Sequence, residues 1–258
     1  MIAPEEIGRR LQSTILGRKI YSFEVIDSTN SYAKSLDDER APHGTIVIAE
    51  EQTHGRGRQG RRWDSERGKN LLFSVVFRTP FIHDRARILP FLAALAAADA
   101  VEQLSRCKVE CKWPNDLLIE KKKFAGMLIE AEAQSDSVTS VTLGVGINVN
   151  QTEFSDELKA KVTSLRLAGG NEIDRIGLLC RFLEELERRL IQLNRFSTDL
   201  VLEEWKRRTT MLGTLITLTE KRGRISGRAI DVAPNGALVF EESGGARREV
   251  FAGDVTLG

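Results

Sequence analysis

Gly55-Arg56-Gly57-Arg58-Gln59-Gly60-Arg61-Arg62-Trp63 is the stretch on which the fold turns, because its first six residues match the spacing G-x-G-x-x-G. In a dinucleotide-binding βαβ unit that spacing opens directly into a helix whose N-terminus receives a pyrophosphate, with an acid about 20 residues on. Here Asp64 and another glycine, Gly68, follow instead, and then an apolar, strand-like run from Leu71 to Phe77. No helix N-terminus is on offer, so a dinucleotide fold is rejected. A phosphate cradle of the form G-x-x-x-x-G-K-[ST] occurs nowhere in the chain.

The same stretch still carries chemistry. Between His54 and Lys69 stand six basic residues (Arg56, Arg58, Arg61, Arg62, Arg67, Lys69) and two acids (Asp64, Glu66), a local +4. The whole chain has 38 Lys+Arg against 37 Asp+Glu, a net +1, so the remainder carries −3. A general polyanion binder would show its basic excess over the whole domain, so any anion site must come from this local cluster. Guanidinium groups fork onto phosphate oxygens, and glycines let backbone N–H groups approach an anion closely. Trp63 adds a flat face suited to stacking on a base. A solvated basic loop is the competing reading. With four glycines among six cations and little apolar content, the segment has few anchors of its own. It is therefore expected to close over an anionic substrate that orders it.

Working outward, 258 residues suit one large domain, or a large one plus a small one. A content of 41% hydrophobic and 29% charged residues excludes disordered and collagenous classes. Ile7, Leu11 and Ile15, at i, i+4 and i+8 after Pro4, predict a first helix. A strand from about 19 to 26 ends at Asp27-Ser28-Thr29-Asn30, a helix follows to Leu36, and Thr45 to Ala49 is β-branched. Beyond Leu71 to Phe77, the residues Ile88, Phe91, Leu92, Leu95 and Ala98 mark a helix that admits Pro90 only in its first turn. Strands are predicted over 109–113, 117–119, 124–133 and 138–149, with a hairpin at Glu120-Lys121-Lys122. Apolar positions from Ile176 to Leu193 predict a long amphipathic helix, and Ser197 is a candidate N-cap for another running past Trp205. After about Thr210 the chain turns to short strands near 215–218, 224–232, 237–240 and 249–251, broken by Pro234-Asn235-Gly236 and Ser243-Gly244-Gly245. Roughly 50 residues of short strands make a small β-barrel near the size limit of independent stability.

Cys107, Cys111 and Cys180 are odd in number and form no C-x-x-C pair, so they are expected as buried thiols in a reducing compartment. His43, His54 and His83 have no metal-ligand spacing. The start, with Pro4, Glu5 and Glu6, is no signal peptide, and Phe91 to Ala98 falls far short of the ~20 residues a bilayer requires. A soluble, cytoplasmic protein is expected, with no membrane partner.

Three further stretches are ambiguous by themselves. In Lys112-Trp113-Pro114-Asn115-Asp116 the proline forces an exit from a sheet, so Asn115 and Asp116 either face a ligand or metal ion or close an ordinary Asx turn. Asp27-Ser28-Thr29-Asn30 is either a helix cap or a presenter of hydroxyl and amide groups to a polar head group. Gly144 and Gly146 clear side chains from a strand, either for a ligand or for a bulky neighbour.

Taken together, these stretches resemble the biotin protein ligases (biotin–[acetyl-CoA-carboxylase] ligases). Asp27 to Asn30, Glu51-Gln52-Thr53 before Gly55 to Trp63, Lys112 to Asp116, Lys123-Phe124-Ala125-Gly126 and Gly144-Val145-Gly146-Ile147-Asn148-Val149-Asn150 match in order and spacing. Gly227-x-Ala229 and Gly236-Ala237-Leu238 resemble the family's C-terminal module. The one small departure is His54, where a small residue is common. The resemblance implies an α+β fold: a mixed sheet with helices, like the catalytic domains of class II aminoacyl-tRNA synthetases and biotin ligases, over 1–210, then an SH3-like barrel over 211–258. It implies ATP, Mg²⁺ and biotin as cofactor, metal and substrate, and a biotin carboxyl carrier domain as protein partner. A homodimer through a sheet edge is a further family expectation. Only 26 residues precede Asp27, too few for a winged-helix reader of roughly 60, so a monofunctional ligase without a DNA-binding role is expected.

Residue roles follow from matched positions. Ser28, Thr29, Asn30 and Gln52 would bind the biotin ureido head, with Gly144 and Gly146 lining the pocket. Gly55, Arg56, Gly57 and Arg58 would hold the carboxylate and α-phosphate. Lys123 would contact the reacting oxygens and, with Arg58, carry catalysis. Arg61, Trp63, Asn115 and Asn148 would contact the nucleotide, Trp63 by stacking on adenine and Asn148 also as a Mg²⁺ ligand. Asp116 would serve as support. A lipoate ligase shares the broad fold and the acyl-adenylate chemistry. A nucleic-acid-binding module built on the basic loop and small barrel is the alternative outside enzymes.

Overall fold

The computed structural model describes residues 1–78, 86–134, 137–193, 198–220 and 223–257; Ser197 and His83 lie outside them. A seven-stranded mixed sheet is built from β1 (Ile20–Ile26), β2 (Ile46–Gln52), β3 (Leu71–Arg78), β4 (Glu110–Lys112), β5 (Asp116–Ile119), β6 (Lys122–Gln134) and β7 (Ser137–Ile147), in the order β1-β2-β3-β7-β6-β5-β4. The β1–β2 pair is parallel and all others antiparallel. Helices α1 (Pro4–Arg10), α2 (Thr29–Lys34), α3 (Leu89–Leu104), α4 (Asp156–Lys159), α5 (Leu165–Gly169), α6 (Arg175–Leu193) and α7 (Thr198–Arg207) join it, giving the expected α+β architecture. A separate five-stranded antiparallel sheet follows: β8 (Leu215–Glu220), β9 (Gly223–Val232), β10 (Leu238–Glu242), β11 (Arg247–Val250) and β12 (Asp254–Leu257), in the order β11-β10-β9-β8-β12. Among the described residues no helix is long and apolar enough to cross a membrane.

Strand alternation gives the large sheet two different faces. On one, Phe73 of β3 meets Phe182 of α6 edge-on at 5.2 Å, and Leu71, Val75, Phe77, Leu143 and Ile147 are buried in the same core with the apolar sides of α3 and α6. On the other, cross-strand pairing aligns Leu72, Ser74 and Val76 of β3 with Gly146, Gly144 and Thr142 of β7, and these with Gly126, Leu128 and Glu130 of β6. Helix α2 covers only part of this second face, packing Ala33 and Leu36 with Val47 and Val76. The rest of this face carries Gly126, Gly144 and Gly146, over which side chains from α2, from β6 and from the loop after β2 are laid.

Two sequence expectations change. The first helix ends at Arg10, and Leu11 to Leu16 turn away although Ile15 continues the apolar period. The reason is tertiary: the buried carboxylate of Glu187 on α6 accepts the N–H groups of Thr14, Ile15 and Leu16 and the Thr14 hydroxyl. A helix there would need those N–H groups for itself. The β5–β6 hairpin does form, but on Glu120 and Lys121 at φ +49 and +64, the left-handed pair of a type I′ turn, without the usual Asn or Gly.

Candidate active site

At one end of the glycine floor, the N-terminus of α2 is tied to β2 and β3. Ser28 caps the helix by accepting the Ser31 N–H, and the Thr29 N–H donates to Gln52 Oε1 at 2.8 Å. The Ser74 hydroxyl, fully buried on β3, lies 2.8 Å from Thr29 Oγ1 and 2.6 Å from Asn30 Oδ1. Ser74 has one proton to give. If it donates to Asn30, the Thr29 hydroxyl donates to Ser74, and Gln52 Oε1 is held by the Thr29 N–H. Asn30 Nδ2 donates to Glu130 Oε2 at 2.8 Å. This small polar box of Thr29, Asn30, Gln52 and Ser74 is rigid before any ligand arrives.

The basic loop, expected to close over an anionic substrate, has contacts of its own within the chain. It is a narrow hairpin: Trp63 N–H donates to Gly55 O at 2.9 Å, Gly57 N–H to Arg61 O at 2.7 Å, and Arg56 bridges Arg62. Gly55 is required at the neck, since a Cβ there would lie 2.5 Å from the Trp63 carbonyl oxygen. Its arginines reach three separate supports. Arg56 pairs with Glu130 at 2.7 Å, Arg58 donates to Asn115 Oδ1 at 3.3 Å and to Gly253 O at 3.2 Å, and Arg61 pairs with Asp254. Burial pulls the Arg58 pKa down, against the attraction of Asp254 and Asp116, yet a guanidinium stays charged under all ordinary conditions.

Past the hairpin, Trp63 lies over the other end of the floor. A Cβ on Gly146 would meet its Cε2 at 2.6 Å, and one on Gly126 its Cζ3 at 3.2 Å. A Cβ on Gly144 would collide with the Asn30 side chain. Each glycine thus clears room for a bulky neighbour, and that neighbour is itself a predicted site residue. Lys123 Nζ lies 5.3 Å from the Trp63 ring centre and pairs with Asp116 at 2.7 Å. The turn at the Trp113–Pro114 peptide sets Asn115 against β6, where its Nδ2 donates to Met127 O. Asn148 donates from Nδ2 to Thr163 O at 3.0 Å, while among the described residues its buried Oδ1 has no partner, and neither has the buried Nε1 of Trp63.

Sequence reading passed over three members. Ser74 and Glu130 sit on strands that read as apolar runs, and the signal was a polar residue at a period-2 position shared with Gly144 and Gly126. Lys112 was quoted only as part of a motif; burial pushes its pKa down beside Lys123 and Arg61, while Asp116 holds it up. Burial likewise disfavours ionised Glu130, but Asn30, Arg56 and Lys34 outweigh it and hold its carboxyl below the ordinary range.

This arrangement joins a polar box, a glycine floor and a cluster of cations under one aromatic ring. Residues 22–148 match the model of the biotin/lipoate A/B protein ligase family. The whole chain is 34% identical to the bifunctional ligase/repressor BirA of Bacillus subtilis, spanning 79% of that protein. The chain belongs to the biotin protein ligase family. Other members include the biotin–[acetyl-CoA-carboxylase] ligase of Mycobacterium tuberculosis, 34% identical over 82% of this chain and 78% of that protein. The fold is shared with the biotin protein ligase from Aquifex aeolicus solved in complex with biotin and ATP, at a TM-score of 0.79, 27% identity and coverage of 93% of this chain and 99% of that one.

Proposed function

We propose that this site activates biotin with ATP and passes it to a lysine of a biotin carboxyl carrier domain. In the first step a biotin carboxylate oxygen attacks the α-phosphorus of ATP, forming biotinyl-5′-AMP as pyrophosphate leaves. In the second, a carrier lysine amine attacks the acyl carbon, an amide forms, and AMP leaves with the bonding electrons of the broken anhydride. The observation that carries this reading is the placing of Lys123 beneath Trp63 and beside Asp116, one end of a glycine floor whose other end is the Thr29–Asn30–Gln52–Ser74 box. An uncharged bicyclic head group with donors and an acceptor suits the box. The acyl-phosphate chemistry then falls at the cationic end.

Both reactants of the first step are anions, so positive charge and orientation should dominate catalysis. Lys123 would neutralise the reacting oxygens, Arg58 would hold the α-phosphate, and Trp63 would stack on adenine. Asn148 Oδ1 is a hard oxygen donor without a partner among the described residues, so it fits either the adenine amine or a Mg²⁺ ion. Asn148 is the residue that would hold a Mg²⁺ ion here, since its amide oxygen is a hard donor of the kind Mg²⁺ takes. When bound, such an ion would withdraw charge from the phosphate oxygens. The C-terminal sheet is read as the SH3-like module, with residues 211–258 as its extent; Arg58 and Arg61 reaching Gly253 and Asp254 support a role at the nucleotide end.

The test adds biotin, Mg-ATP and a carrier domain and looks for a biotin-sized mass gain on one lysine. Lipoate in place of biotin is the second arm. Label from lipoate alone would favour a lipoate ligase, the other activity named by the family model.

A further inference from the structure

Glu130 stands apart from the residues that the matched motifs supply. It lies on β6, whose outer face carries Gly126 and Leu128 before it, and its side chain is 20% exposed. Its two oxygens receive donors from two elements: Asn30 Nδ2 and Lys34 Nζ from α2, and an Arg56 guanidinium nitrogen from the loop. Arg56 leaves the sheet just after β2, and β2 is separated from β6 by β3 and β7. Three strand spacings make this reach about 14 Å of sheet. On the two strands crossed, Glu130 is level with Thr142 and Val76, and the Ser74–Gly144 pair lies one step along the same face, level with Leu128.

We propose that Glu130 is a positioning residue whose carboxylate clasps Arg56 across the head-group end of the pocket while fixing the Asn30 amide on its floor. One anion thereby couples two things: the orientation of the box, because Asn30 Nδ2 is committed to Glu130 and leaves Oδ1 for Ser74, and the closure of the loop, because Arg56 is held down on the far side. Arg56 shares its carboxylate with Asn30 of the box, whereas Lys123 pairs with Asp116 and Arg58 with Asn115 and Gly253. A head group held against the Thr29–Asn30–Gln52–Ser74 box would have the Arg56–Glu130 pair beside it on its way out. The clasp would therefore govern retention more than chemistry.

The inference rests on the biotin ligase reading, and the experiment keeps the two apart. Wild-type enzyme is charged with biotin and Mg-ATP, and the release of biotinyl-5′-AMP is followed with steady-state constants for biotin. Glu130→Gln keeps an acceptor for Asn30 but removes the charge. It should raise both the release rate and KM for biotin about fivefold, the scale of one half-exposed ion pair, with a smaller change in kcat. Arg56→Gln should do the same, and the double variant should be no worse than either single one. Release from wild type should quicken with salt, while release from Glu130→Gln should not. If Glu130→Gln does not fold, the Arg56→Gln variant and the salt titration of wild type decide. Unchanged release in the variants, strictly additive effects or a salt-independent wild type overturns the clasp alone. A wild type that forms no biotinyl-5′-AMP overturns the biotin ligase reading and the clasp with it.

Discussion

The indole of Trp63 lies against the backbone of Gly146, so closely that a single added methyl carbon there would stand 2.6 Å from its Cε2. The Gly-Arg loop and the central strand β7 are thus fitted to each other at one point, and the ring's place is set by a missing side chain. Gly146→Ala should displace the ring without unfolding the sheet. Base stacking on an aromatic side chain contributes about 1–3 kcal/mol, so KM for ATP should rise at least fivefold. Equal KM values for both substrates in wild type and variant would show that the ring does not serve the nucleotide.

Lys123 and Asp116 form a pair at 2.7 Å, and their roles separate by magnitude. On the proposed mechanism Lys123→Ala removes the charge that neutralises the reacting oxygens, and loss of one such donor costs about 2.7–4 kcal/mol of barrier. Biotin-dependent exchange of pyrophosphate into ATP should fall by roughly a hundredfold to a thousandfold. Asp116→Asn leaves the amine but loosens it, and misplacement by about 1 Å can cost up to a hundredfold, so a smaller loss is expected. A variant at Asp116 as inactive as Lys123→Ala would make the carboxylate a direct participant.

Glu187 links pH to stability. Burial alone would raise its pKa, but the N–H groups of Leu16, Thr14 and Ile15 and the Thr14 hydroxyl outweigh that and leave it lowered. Folding therefore favours the ionised form. The resulting stabilisation is complete above the ordinary carboxylate pKa of about 4.3 and is lost as pH falls through the lowered value in the folded chain. Glu187→Gln should cost about 2 kcal/mol near neutrality. Calorimetry should show a melting temperature lower by ~4–8 °C at pH 7 and a smaller difference from wild type at pH 3. A gap that stays constant with pH would mean that charge plays no part in holding residues 14–16.

The thiols should be inert in the native enzyme. Burial pushes Cys111 up to about 12 and Cys180 to about 11. At pH 8 their thiolate fractions would be on the order of 10⁻⁴ and 10⁻³, and the thiolate is the reactive form. Mass spectrometry after iodoacetamide treatment should find neither residue modified until urea is added. Rapid labelling of Cys111 in folded protein would contradict its burial.

Sequence was most informative where local rules suffice. The absence of a helix after Gly60 excluded a dinucleotide fold, Pro114 ended a strand where β4 ends at Lys112, and the motifs from Asp27 to Asn150 carried the family. Period alone misjudged Ile15, because the periodic pattern contains no record of a carboxylate 172 residues away. It also passed over Ser74 and Glu130, since a single polar residue in an apolar strand acquires meaning only when pairing places it opposite Gly144 or beside Asn30.

The basic loop shows the same division. By composition it is a run of glycines and arginines with an excess of positive charge, and composition cannot say where each guanidinium goes. Tertiary structure sends Arg56 to Glu130 on β6, Arg58 to Asn115 and Gly253, and Arg61 to Asp254 on β12. Residue types and their spacing therefore determined which groups are on offer, a cluster of guanidinium groups and a set of small polar side chains. Sheet order alone decided how those groups are arranged, because strands distant in sequence lie about 5 Å apart once paired and bring their side chains onto one face.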